Sequence, residues 1–326
     1  MKKILGIGSA LVDILTQIPD ETLLQQLNLP KGSMTYVNAN DAVKIGELLA
    51  KQYGTQRASG GSTANTMSGL ARLGGVTGFL SKIGNDEVGA FFKKQITDCH
   101  VEPLLLTSET PTGRVMAMVT PDGERTFATC LGAAIEMGPD DITPELLDGW
   151  DIFYVEGYLV ANPPLLEKAL DTAYAKGMTI AMDMASYNEV QKHRDLVLRF
   201  LEDRLDIVFA NEQEAQVLTG LENPVDALHY IAERCQIAVV KVGAKGAYIQ
   251  RGDEVVTIPP MKAEVVDTTG AGDLWASGFL AGLVKGESLQ KCGMMGAIVA
   301  KNIIEVIGAK MDDEHWEKIH DAIASL

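Results

Sequence analysis

The chain has 326 residues, 46% hydrophobic and 22% charged, with a formal net charge of −16. That is the composition of a soluble globular protein, long enough for one large α/β domain with an appendage or for two domains. The acidic balance, uninterrupted by any Lys/Arg cluster, excludes nucleic acid and anionic membrane surfaces as partners, so an anionic ligand must be held by local amides and a metal.

Lys3–Gly8 is the first expected element, a buried strand ending in glycines. Gly6, Gly8, Ser9 and Asp13 break any secretory apolar region, and no later apolar run reaches the length of a membrane span. Gly6-x-Gly8-x-x-Leu11 lacks the third glycine of a dinucleotide fingerprint. Asp13 follows a few residues past the strand's carboxyl end, where parallel α/β sheets bind ligands. It is either a solvated turn residue or a carboxylate accepting two hydroxyl protons from a diol. Thr16–Tyr36 shows no clean alternation of helix and strand. Gly60-Gly61 then precedes a helix that Ser62 or Thr63 would cap and Gly74-Gly75 would end.

Strand-like runs recur at Val76–Ser81, Asp151–Glu156, Met178–Asp183, Ile207–Phe209 and Ala238–Val242. Helix-like segments lie between them, including Pro163–Lys176 ending at Gly177 and Asn211–Thr219 ending at Gly220. This alternation predicts a parallel sheet covered on both faces. Pro121-Asp122-Gly123-Glu124 is a turn between the β-prone runs Gly113–Thr120 and Arg125–Leu131. Cys99, Cys130, Cys235 and Cys292 are scattered, which fits a reducing cytoplasm and predicts neither disulfide framework nor zinc site. Tyr158, just after a strand, is a core aromatic or a stacking surface for a flat ligand. Asn211 and Glu214 open a helix directly after a strand, at capping-box spacing. Lys241-Val242-Gly243-Ala244-Lys245-Gly246 turns from one strand toward Ala247–Gln250.

The most informative stretch is Asp267-Thr268-Thr269-Gly270-Ala271-Gly272-Asp273. Before it, Val265-Val266 reads as the end of a strand; after it, Leu274–Leu280 has helical spacing, with Ala276, Gly278, Ala281 and Gly282 on a face that can pack closely. Gly270 and Gly272 allow close approach of backbone to ligand, and the first helical amides suit an oxyanion or phosphate. Asp273 is either an ordinary first-turn acid or a base that takes a hydroxyl proton while the amides hold the phosphoryl group under attack. No Walker-type loop occurs, and none of the five histidines lies near these motifs.

Asp267–Asp273 resembles the C-terminal signature of the ribokinase/PfkB family of small-molecule kinases. The N-terminal signature is matched by Ser59-Gly60-Gly61-Ser62-Thr63-Ala64-Asn65 followed by Gly69-Leu70-Ala71-Arg72-Leu73-Gly74. The resemblance covers essentially the whole chain. It implies a single ribokinase-like α/β domain over residues 1–326, a doubly wound, mostly parallel sheet with helices on both faces. It also implies a small β lid from segments near 14–58 and 104–132. In that family Asp273 is the catalytic base beside the amides of Gly270, Ala271 and Gly272. Asp13, Gly61, Ser62 and Asn65 hold the substrate's hydroxyls, with Tyr158 beside them. Asn211, Glu214, Gly243, Gly246, Thr268 and Asn302 serve ATP, and Glu214 lies in the outer shell of Mg2+. Some members also need K+ near the Asp-Thr-Thr loop. The family often has Thr where Lys241 stands, which puts a hydroxyl contact to phosphate in doubt here. Arg125 is a surface residue or one that reaches phosphate when the lid closes.

Sugar-specific members carry an Asp-Pro-Asn type segment where this chain reads Asp183-Met184-Ala185-Ser186-Tyr187. Leu29–Met34, Leu131–Ala134 and Glu156–Tyr158 are closer to the adenosine-kinase-like branch. The expectation is therefore transfer of the γ-phosphoryl group of ATP to the 5′-hydroxyl of a ribonucleoside, adenosine first. A ribose or fructose kinase is the alternative, and a catalytically silent ligand-binding regulator a more distant one. Strand edges on a lid can pair with another lid or stay solvated, which leaves monomer and homodimer both open.

Overall fold

The computed structural model describes residues 1–326. Its strands, in chain order, begin with β1 (Lys3–Ile7), β2 (Leu11–Gln17), β3 (Met34–Tyr36), β4 (Gln56–Gly60), β5 (Val76–Gly84), β6 (Val101–Ser108) and β7 (Thr112–Val119). There follow β8 (Arg125–Gly132), β9 (Ile152–Glu156), β10 (Thr179–Asp183), β11 (Ile207–Asn211), β12 (Ile237–Lys241), β13 (Ala247–Arg251) and β14 (Glu254–Ile258). The apolar runs pair into a nine-stranded sheet in the order β14-β13-β12-β11-β10-β9-β1-β5-β6. Its strands from β12 to β6 are parallel, and β13 and β14 are appended antiparallel at one edge.

Successive side chains of a strand point to opposite faces, and each face of this sheet has its own core. Phe209 and Val239 pack into a cluster of 52 buried residues together with the helices Ser62–Arg72, Ala271–Val284 and Leu289–Ile303. Val208 and Val240 enter a second cluster of 34, against the helices Pro163–Ala175, Arg194–Asp203 and Pro224–Ala232. Strands buried on both sides carry continuous hydrophobic runs, as parallel sheets require.

A second sheet of five strands has the order β3-β8-β7-β2-β4. The chain enters it from β1 through Gly8-Ser9-Ala10, so the carboxyl ends of the large sheet lie beside it. The turn after β7 closes where Gly123 donates to Thr120 O (2.8 Å).

Two local readings need correction. Val265-Val266 is not a strand end: β14 stops at Ile258 before Pro259-Pro260, and both valines are exposed. Proline lacks the N–H a ladder needs, and Val266 donates instead to Ile304 O (2.8 Å). Nor do Ser62 or Thr63 cap their helix; its N-cap is Gly61 at φ 95°, without any side-chain cap. A Cβ there would lie 2.2 Å from Ser9 O, so only glycine fits.

Candidate functional site

The carboxyl ends of adjacent parallel strands deliver Glu156 (β9), Asp183 (β10), Asn211 (β11) and Lys241 (β12) to one edge of the sheet, with Glu156 beside Asp183 and Asn211 beside Lys241 in register. Ligands bind outside such ends in open α/β sheets. A cavity of about 820 Å3 opens there. Strand order fixes its layout. Ser62, Tyr158, Asp183 and Ala185 line the part toward β9; Gly243, Gly246, Ile258–Met261, Ala263 and Val265 line the part toward β14. Ala297, Ala300, Lys301 and Ile304 form the opposing wall.

The helix Ala271–Val284 starts at this cavity, its N-cap Gly270 in the left-handed region at φ 75°. Trp275 stacks on Phe279 (5.5 Å) and Phe279 meets Phe209 edge-on (5.4 Å), fixing the helix to β11. Such pairs contribute about 0.5–1.5 kcal/mol each beyond burial. The small-residue face packs closely: a Cβ on Gly278 would lie 2.5 Å from Met295 O, and one on Gly69 2.6 Å from Ser277 Oγ. Four amides open the helix. Those of Gly270, Gly272 and Asp273 have no protein acceptor, whereas Ala271 already donates to Thr268 O (3.2 Å). Ala271 therefore drops out of the expected anion nest, because the Gly270 turn directs its N–H back into the chain.

Asp273 lies in that same turn and lines the cavity. Ser62 Oγ donates to its Oδ1 (2.7 Å) and Asn65 Nδ2 to its Oδ2 (3.0 Å). Burial raises its pKa; Asn65 and Ser62 oppose the rise, and the charge of Asp183 adds to it. Asp13 is in the middle of β2, paired with Ala58 and Val115, and is no turn residue. Its carboxylate lies against Gly60, where a Cβ would come within 2.5 Å of Oδ2. Burial, opposed by Lys310 and assisted by Asp273, pushes its pKa up to about 6. The Lys310 ammonium is itself buried without a hydrogen-bond partner. Tyr158 is half exposed at the cavity wall (46%) and so is not a core aromatic.

Asn211 and Glu214 form a complete capping box: Asn211 N donates to Glu214 Oε2 (2.7 Å) and Glu214 N to Asn211 Oδ1 (2.8 Å). Both also line the cavity, so cap and site coincide. Burial and the charge of Asp183 push Glu214 up to about 7. No three His, Cys, Asp or Glu side chains converge to cage a metal. A hydrated Mg2+ carried in on phosphates would need no such cage, and Glu214 and Asp183, which line the cavity, would be the carboxylates available to its water shell. Gly243, Gly246 and Thr268 line the cavity as well. Asn302 does not line it; its amide donates to Ile298 O (2.9 Å) inside its own helix. Gly61 and Asn65 sit behind Ser62 and Asp273 and are not part of the wall.

Several pairings escaped the sequence. Asp183 Oδ2 accepts from Lys241 Nζ (2.9 Å), and its Oδ1 from Ala185 N (3.0 Å). Ala185 itself is held at φ 58°, a strained backbone of the kind concentrated at ligand sites. Arg125, from β8, donates to Asp267 Oδ2 (2.9 Å), tying the small sheet to the loop that precedes the anion nest. Asp267 also accepts from Thr269 N (3.0 Å) and Gly308 N (2.7 Å). Glu156 accepts from Ser9 N (2.9 Å) and Thr63 N (3.3 Å), standing in for the missing helix cap from a distant strand.

Residues 29–316 match the family model described as pfkB family carbohydrate kinase. An adenosine kinase from Sinorhizobium meliloti superposes with a TM-score of 0.84 at 36% identity, covering 98% of this chain and 99% of that one. A probable sugar kinase from Rhizobium etli CFN 42 gives 0.84 at 35% identity, with 98% of each chain covered. An uncharacterized sugar kinase from Archaeoglobus fulgidus is 30% identical over 247 residues, 74% of this chain and 96% of that protein.

Proposed function

The chain belongs to the pfkB family of carbohydrate kinases and is accordingly a phosphotransferase acting on a hydroxyl group; from that premise we propose that it phosphorylates the 5′-hydroxyl of a ribonucleoside, adenosine first, at the expense of ATP. The observation that carries the reading is the sharing of one helical turn by the Asp273 carboxylate and the unbonded amides of Gly270, Gly272 and Asp273.

In this reading Asp13 accepts hydroxyl protons of the acceptor's ribose, and Tyr158 offers its ring to the base. Asp273 keeps Ser62 and Asn65 as donors and has lone pairs left for the attacking hydroxyl. Its removal of that proton contributes about 10²–10⁴-fold. Each amide aimed at the transferring group contributes about 10²–10³-fold. Mg2+, when bound, neutralises phosphate charge and orients the leaving diphosphate. The apolar wall of Ile258, Pro259, Met261, Val265 and Ile304 takes the base of ATP. Adenosine is favoured because the S. meliloti protein is an adenosine kinase matched over nearly its whole length. The A. fulgidus sugar kinase keeps ribose or fructose as the second reading.

ADP release measured across nucleosides, ribose and fructose decides between them. Adenosine should exceed the sugars in kcat/KM by about tenfold or more, because a site built for a base leaves groups unpaired when the base is missing. Preference for a free sugar would sink the nucleoside assignment. Turnover that ignores the acceptor, or none at all, would favour a ligand-binding regulator.

A further inference from the structure

Lys241 stands at the end of β12, where its ammonium pairs with Asp183 and faces the first turn of the helix Ala271–Val284, in a cavity that Glu214 and Asp273 also line. Asp183 Oδ2 is 2.9 Å from Nζ, and a Cβ on Gly272 would lie 3.3 Å from it. An ammonium has three N–H donors; Asp183 takes one, and no other protein atom accepts from Nζ. The side chain lines the cavity and keeps 14% of its surface exposed. Burial works against its charge, but Asp183, Glu214 and Asp273 hold its pKa above the ordinary lysine value. Asp183, Glu214 and Asp273 all line the cavity, so a phosphoryl group entering it needs a cation facing it.

We propose that Lys241 is a catalytic residue that donates to a non-bridging oxygen of the terminal phosphate, opposite the amides of Gly272 and Asp273. This role rests on the phosphotransfer reading above. During transfer the acceptor oxygen bonds to phosphorus and the bond from phosphorus to the bridging oxygen of the diphosphate breaks. The acceptor's proton goes to Asp273. Lys241 keeps all its protons and follows the charge as it spreads over the transferring group. Asp183 holds the ammonium at the end of its four-carbon stem, so less freedom is lost when phosphate arrives.

Calorimetric titration of the full chain, with Mg2+ present, with ADP and with β,γ-imido-ATP separates this role from that of a structural ion pair. Lys241→Met should weaken imido-ATP by about tenfold or more, the value of one charge-assisted hydrogen bond, while ADP affinity stays within about twofold. Turnover should fall by about 10²-fold or more with the acceptor KM unchanged, and Lys241→Arg should recover most of the triphosphate increment. Should Lys241→Met fail to fold because Asp183 is stranded, Lys241→Gln, which keeps an N–H donor on that stem and removes the charge, gives the same test. Equal losses for ADP and imido-ATP, or no loss for either, would overturn the assignment. A wild-type chain that binds neither nucleotide would overturn the kinase reading itself, whereas a failed acceptor screen leaves this comparison intact.

Discussion

Asp273 is restrained on both oxygens, by Ser62 and by Asn65, in a buried setting that favours its neutral form. Asp273→Asn keeps the shape and removes the basicity. Turnover should drop by about 10²-fold or more while imido-ATP affinity changes by less than a few-fold; near-normal turnover would take the base role from Asp273. Asp13 makes a different prediction because it has no donor of its own in the protein, and its pKa rises to about 6. Only its ionised form accepts two hydroxyl protons, so acceptor binding without ATP should weaken as pH falls through about 6. In Asp13→Ala the acceptor should bind weakly at every pH. A wild-type affinity constant from pH 5 to 8 would remove Asp13 from the acceptor subsite.

The helix Ser62–Arg72 shows how one element is set by another far along the chain. Its N-cap glycine has no side chain, and Glu156 supplies the acceptor for Thr63 N across 93 residues. This leaves the Ser62 hydroxyl free to hold Asp273. Glu156→Ala should strand the buried amide of Thr63, at about 1–3 kcal/mol, and the partly buried one of Ser9. It should also lower turnover through displaced Ser62 and Asn65, without touching imido-ATP affinity. Unchanged stability by denaturant titration would show the cap to be idle. The same geometry explains what the sequence could tell. The strand–helix alternation and the Asn211–Glu214 box are local patterns legible from spacing, whereas the loop Asp267–Asp273 left two readings open until its family resemblance was weighed. Lys241 with Asp183, 58 residues apart, and Arg125 with Asp267, 142 apart, arise from strand order and the docking of one sheet on the other. Residues Ile258–Val265 escaped for another reason: a proline-containing segment without period gives no pattern, yet it walls the cavity.

At the scale of the whole molecule, the acids of the site act on stability together. Burial raises Asp13 to about 6 and Glu156 and Glu214 to about 7, and raises Asp273 as well. Above the ordinary carboxylate range, near pH 4.5, the unfolded chain has released these protons and the folded chain still holds them. On these acids the folded state therefore binds more protons than the unfolded one up to about pH 7, and their contribution to stability falls as pH rises through that window. Lys310, whose pKa burial lowers, contributes with the opposite sign. The acids held low, among them Asp86, Asp141 and Asp267, titrate below it, so their stabilisation is complete before the window opens. Self-repulsion of a chain with net charge −16 acts in the same direction as the remaining acids ionise. The thermal midpoint of the protein without added ligands should thus drop by about 5 °C or more from pH 5 to pH 7.5. Added salt should recover only the part due to exposed charge, since buried groups are poorly screened. Glu156→Gln should flatten the slope. Nucleotide with Mg2+ should stabilise more at pH 7.5 than at pH 5, because it brings cations and donors to carboxylates that are charged only at the higher pH. A midpoint that stays level or climbs over this range would mean that these acids are ionised without strain, and that the fold does not give up stability to keep them in place.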